Sequence, residues 1–229
     1  MGRWHRSGAR GLTSIKARGC VGTDSENNYR RQGHWEFYHP NGQRSAEGSY
    51  VDGFPGGETD SAGIAIDGRE GSWAIWHDNG RKEEESTFRD GQREGLTTVW
   101  YENGQKSAER SYRDGTLEGL STLWHPNGQK SQERTYRDGQ LEGPSTRWYE
   151  NGQMRQEGSY RDGESEGLFT RWHENGQKEE EATFRVGQRE GLVTAWFANG
   201  QKQLEATYLN GTETSGTRWD ANGTEILPD

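Results

Sequence analysis

The sequence predicts an all-β fold: an elongated antiparallel β-meander of tandem hairpins, each about 24 residues long, forming a single-layer sheet. Three observations predict it. Tryptophan returns at a fixed interval, with Trp76, Trp100, Trp124, Trp148, Trp172 and Trp196 standing 24 residues apart. Two turn signals, Asn-Gly and Asp-Gly, alternate along the chain between segments rich in Thr and aromatic residues. Glycine, 34 of 229 residues, recurs too often for a helix interior.

With each Trp taken as offset 0, every place in the unit has a structural meaning. Asn-Gly falls at +3 and +4, as in Asn103-Gly104 and Asn127-Gly128. Pro40 and Pro126 directly precede it, which suits a three-residue hairpin loop with a left-handed Gly and a bulge. That loop pairs +1 with +5 and Trp with +6, which is Lys82, Lys106, Lys130, Met154, Lys178 and Lys202. In this register Trp, the +6 Lys and the +12 aromatic (Phe88, Tyr112, Tyr136, Tyr160, Phe184, Tyr208) share one face. Glu at +9, Ser or Thr at +11 and the residue at +1 share the other. A two-residue turn would instead set Trp and the +12 ring on opposite faces. The second turn, Asp-Gly-x-x-Glu-Gly, closes the unit.

The end units are imperfect. Tyr38 takes the Trp place in the first clear copy, and Trp219 arrives one residue early in the last. Between Tyr38 and Trp76 lie 14 extra residues, a Gly-rich insertion near 54–67. The organisation expected is thus an N-terminal segment over 1–32, poorly patterned or an eroded repeat, and an array of about eight units over 33–229. Trp4-His5-Arg6-Ser7-Gly8 has the look of an eroded unit start.

Composition narrows the function. Leu, Ile, Val and Phe number 27 of 229, and the net charge is −9, a balance that without ten Trp, six of them regularly spaced, would point to disorder. The excess of Asp and Glu (37) over Lys and Arg (28) argues against nucleic-acid binding. The single Cys20 excludes an internal disulfide and Cys-based zinc clusters, and fits a reducing, cytoplasmic setting. Neither a secretory signal nor an apolar run long enough for a membrane helix is expected.

The unit Trp-Tyr-Glu-Asn-Gly-Gln-Lys-Ser-Ala-Glu-Arg-Ser-Tyr-Arg-Asp-Gly at Trp100 to Gly115 resembles the MORN-repeat variant family, and within it the YwqK-type repeats described as antitoxin components of bacterial toxin–antitoxin modules. The resemblance covers roughly residues 33–229. It implies an antiparallel sheet, protein association or scaffolding, with membrane-lipid contact as another role of related repeats, and no catalytic residues to carry over.

The residues themselves agree in offering little chemistry. His39, His77, His125 and His173 share offset +1, too far apart along the array to meet on one metal. The acidic turns lack calcium-loop spacing, and the +9 Glu row lacks the unique pair that acid–base catalysis requires. The expectation is a non-enzyme without cofactor or metal that binds a partner protein such as a toxin. The second reading is a lipid or glycan surface binder using the aromatic row Tyr38, Trp76, Trp100, Trp124, Trp148, Trp172, Trp196 and Trp219 as a stacking platform, although the simpler role of those rings is structural. Trp35 and Trp73, both at −3, add ring surface beside the insertion. With Phe54 they are the expected exposed anchors for a partner.

Overall fold

The structure, a computed structural model, describes residues 3–6, 16–23, 25–54, 58–60 and 63–227; of 3–6 and 16 only the backbone is described. Ser7 and Gly8, two of the five residues of the suggested eroded start, lie outside these residues, as do 55–57 and 61–62 of the insertion. Among the described residues every regular element is a strand.

The chain forms two compact units, residues 1–116 and 117–229. The first holds β1 (Arg3–Arg6), β2 (Lys16–Thr23), β3 (Tyr29–Tyr38), β4 (Arg44–Gly53), β5 (Arg69–Trp76), β6 (Lys82–Arg89), β7 (Gln92–Arg93), β8 (Gly95–Trp100) and β9 (Lys106–Arg113). Each pairs antiparallel with its successor, except that β7 and β8 both line β6, and β9 pairs with β8. The second unit takes up β10 (Thr116–Trp124) from Leu117 onward. It continues through β11 (Lys130–Arg137), β12 (Gln140–Trp148), β13 (Met154–Arg161), β14 (Glu164–Trp172), β15 (Lys178–Arg185), β16 (Gln188–Trp196), β17 (Lys202–Leu209), β18 (Thr212–Trp219) and β19 (Glu225–Ile226). Here too each strand pairs antiparallel with the next.

The Asn-Gly turn has the three-residue form. His77 N donates to Arg81 O at 2.9 Å and Gly80 N to His77 O at 2.9 Å, with Gly80 left-handed at φ 79°, and Trp76 pairs with Lys82. The Asp-Gly turn needs positive φ at both residues, seen at Asp138 (48°) and Gly139 (78°).

One step departs from expectation. Between −1 and 0 the register shifts: Ile75 pairs with Glu84 while Trp76 pairs with Lys82, so Glu83 at +7 is an extra, bulged residue. The same shift recurs in the hairpins of Trp100, Trp124, Trp148, Trp172 and Trp196. An odd insertion exchanges the faces beyond it. The +12 ring therefore does not share a face with Trp, as the uninterrupted register implied. It lies with −1, −3 and +10, whereas Glu at +9 joins Trp and Lys.

Burial follows this division. The inner face of the first unit carries the core: Trp35, Phe37, Ala46, Tyr50, Trp73, Ile75 and Phe88, closed by Ile64 of the insertion. In the second unit the same places are filled by Ser145, Phe169, Ala182, Val193 and Ala206, all buried. β2 enters the pattern as well, since Ala17 pairs with Phe37 and is buried, as Ala46 and Ala108 are at +8.

The −3 place is where sequence and packing meet. Trp73 lies against Gly48, Trp35 against Gly19 and Phe169 against Gly158; in each case a Cβ on the glycine would fall closer than 3.0 Å to the ring. Each glycine stands on the strand just before its aromatic, where only a missing side chain admits the ring.

Candidate functional site

Trp35 and Trp73 are not surface anchors. They are 3% and 0% exposed, and their indole Nε1 groups donate to Cys20 O and Ser49 O, both at 3.1 Å. The bulge turns −3 inward, and the facing glycines provide the space. Tyr50 meets Trp73 edge-on at 4.9 Å and Trp35 at 6.2 Å, and Phe88 completes the stack.

What these rings support is the insertion. Arg69, fully buried, reaches back to pair with Asp60 and donates from Nε to Ala65 O at 3.0 Å; its guanidinium lies 4.3 Å from the Trp73 ring centroid. Tyr50 Oη donates to Ala65 O at 2.7 Å, and burial raises its pKa above the ordinary phenol value. The described residues of the insertion are thus held by Arg69 and Tyr50 on an aromatic floor.

Phe54, the third expected anchor, is 46% exposed, its ring carrying the Arg30 guanidinium 5.0 Å away and its backbone N donating to Asp67 Oδ2 at 2.6 Å. It borders a shallow pocket of about 400 Å³ lined by Glu58, Ile66, Asp67, Asp90, Gly91 and Gln92. Three carboxylates give this pocket an acidic lining.

The outer face carries the Trp row, and each ring is half-buried. The cation at +6 lies over the Trp of the following repeat: Lys82 over Trp100 at 5.6 Å, Lys178 over Trp196 at 5.8 Å, and Arg44 over Trp76 at 5.6 Å. The same Lys also pairs with Glu at +9, as Lys82 does with Glu85 at 3.2 Å. The rings therefore work as a seam between repeats.

The His row is a seam too. The rings of His39, His77, His125 and His173 bond the carbonyl oxygen of the next Trp at 2.8–3.1 Å, and Tyr149 takes the same role at 2.7 Å. Asn79 Nδ2 reaches Glu102 O, again in the next repeat. In the acidic turns, Glu70, Glu94, Glu118, Glu142, Glu166 and Glu190 each accept from the amide of the left-handed turn residue twenty positions on. His34, Glu36 and Glu47 bring three ligand atoms within 4.8 Å of one another, but Arg44 already bonds both carboxylates.

These features define a tandem β-hairpin repeat protein whose polar motifs join one repeat to the next. A family model described as MORN repeat variant matches residues 31–52, 93–114, 117–138, 141–162, 165–185 and 189–210, more than half of the chain. The chain belongs to that family, whose repeats are associated with binding and scaffolding and are generally non-catalytic. A search among curated proteins finds no match. Among the described residues no helix is long and apolar enough to cross a membrane.

Proposed function

We propose that this chain is a non-catalytic scaffold that holds a partner protein, in the manner of an antitoxin or immunity protein, at the inserted segment of its first unit. One observation carries the reading: Phe54 stands exposed at the lip of an acidic pocket, on the segment that interrupts an otherwise regular array. An aromatic beside a pocket is the usual anchor of a protein interface, and the carboxylates suit a basic segment on the partner. Trp35 and Trp73 contribute by stiffening the floor, which lowers the ordering cost of binding. The lipid or glycan reading has less support, since the outer rings are half-buried beneath the preceding repeat's cations.

The test is co-expression with the product of the neighbouring gene, followed by purification of the complex. The expected result is a complex that Phe54→Ala weakens about tenfold or more, the scale of a 1.4 kcal/mol contact. No complex, or one indifferent to Phe54→Ala, overturns the reading. Binding to liposomes or polysaccharide instead would favour the alternative.

A further inference from the structure

The second unit has an outer-face feature that the repeat seams do not use. At offset −4 stand Leu120, Pro144, Leu168 and Leu192, one per repeat, with the three leucines 50%, 56% and 58% exposed. Each pairs across its hairpin with a hydroxyl residue at +11: Thr135, Ser159, Thr183 and Thr207. Because cross-strand partners share a face, these eight residues form one band across the strands, with apolar residues about 9.5 Å apart. Such a row of exposed leucines marks an association surface.

The charges beside the band show what fits it. Two residues to one side on the hydroxyl-bearing strands lies Glu at +9, and two residues to the other side lies Arg at +13. The sets are Glu133–Thr135–Arg137, Glu157–Ser159–Arg161 and Glu181–Thr183–Arg185. Both columns are thus about 7 Å from the band, at equal distance and of opposite sign. Arg137 and Arg161 lie 3.4 and 3.8 Å from Glu142 and Glu166 and remain 70% exposed. Glu133 and Glu181 pair with Lys130 and Lys178 and keep acceptor capacity to spare.

We propose that this face is a self-association surface and that its occupant is a second copy of the same chain. A half-turn about an axis along the apolar band lays the band on itself and sets Glu133, Glu157 and Glu181 opposite Arg137, Arg161 and Arg185 of the same strand in the other copy, the fourth repeat carrying Leu209 in place of the Arg. That is the isologous geometry of a two-fold dimer. Equal spacing of opposite charges about an apolar axis is what self-complementarity requires, whereas an anionic lipid surface would meet the Glu column as a repulsion. Sheet twist confines the close match to the central repeats around Pro144 and Leu168. The surface is separate from the Phe54 pocket, so the two readings stand or fall independently.

The test uses the full chain in sedimentation equilibrium. One variant carries Arg137→Glu, Arg161→Glu and Arg185→Glu; a second carries Glu133→Arg, Glu157→Arg and Glu181→Arg. The wild type is expected to dimerise, each variant alone to self-associate at least tenfold more weakly, and an equimolar mixture to recover a one-to-one heterodimer. Circular dichroism checks that each keeps its β fold. Should either variant unfold, Leu168→Gln with Leu192→Gln, which leaves every ion pair in place, must weaken the dimer by a similar factor. A wild type that stays monomeric up to about 1 mM, the weak limit of specific association, overturns the proposal. So does self-association indifferent to the charge reversals, or a mixture that fails to associate.

Discussion

Phe169 lies over Gly158, and a methyl group added to that glycine would fall closer than 3.0 Å to the ring. The two residues belong to neighbouring strands, and the ring they accommodate meets Tyr160 at 5.5 Å and Phe184 at 5.1 Å, both edge-on. One repeat later the same places hold Ala182 and Val193, which pair across the strands and are both buried. A larger +10 residue thus goes with a smaller −3 residue, and neighbouring repeats share a fixed volume.

Gly158→Ala should accordingly destabilise the second unit by about 1–3 kcal/mol, the cost of overpacking. Adding Phe169→Val, which reproduces the Ala182–Val193 pair, should recover most of that loss. A thermal-denaturation double-mutant cycle measures the coupling, and additive effects would contradict the shared-volume account.

Val186 occupies the left-handed turn place filled by Asp90, Asp114, Asp138, Asp162 and Asn210 in other repeats, at φ 48°. A β-branched residue is strained there by about 1–2 kcal/mol. Val186→Asn should stabilise the chain by about 1 kcal/mol, seen as a raised midpoint in chemical denaturation with an unchanged slope.

Arg69 is a fully buried cation whose partners, Asp60, Ile64 O and Ala65 O, all belong to the insertion. Arg69→Met leaves the Asp60 carboxylate without its buried partner and should cost about 3–5 kcal/mol. Hydrogen exchange should show residues 63–68 losing protection first, with the second unit unchanged. Uniform loss across both units would count against a local role.

Tyr50 has its pKa raised by burial, against the opposing pull of Arg31 and Arg69. A group raised in the folded state contributes stability below its unfolded value near 10, and loses it as pH rises through the folded value. Thermal melts should therefore show the first unit weakening above about pH 10. Tyr50→Phe should be less stable at neutral pH, lacking the bond to Ala65 O, but should show a shallower alkaline decline.

Much of this fold was legible in the residues. The 24-residue period, the Asn-Gly turn and the Trp–Lys pairing were all readable because turn chemistry and spacing are local properties. The bulge at +7 was not, since Glu83, Ser107, Ser131, Arg155, Glu179 and Gln203 share no character that marks it. Missing it reversed one face, and with it the standing of Trp35 and Trp73, read as surface anchors and found in the core. A signal was present in Gly48 and Gly158, since glycine stands at +10 only where an aromatic follows at −3. Its meaning depends on a contact between strands, which spacing alone does not reveal. The exposed Leu row escaped notice for a similar reason: Leu120, Leu168 and Leu192 recur faithfully, but only the corrected register sets them between Glu and Arg.

The bulge is therefore the feature to measure. Cross-strand backbone contacts in the nuclear Overhauser spectrum of the hairpin from Phe169 to Phe184 distinguish the two registers directly. The structure predicts Phe169 opposite Ala182 and Trp172 opposite Lys178 in the same hairpin. Phe169 opposite Glu181, the uninterrupted register, would return the Trp172 and Phe184 rings to one face and contradict both the core and the surface described.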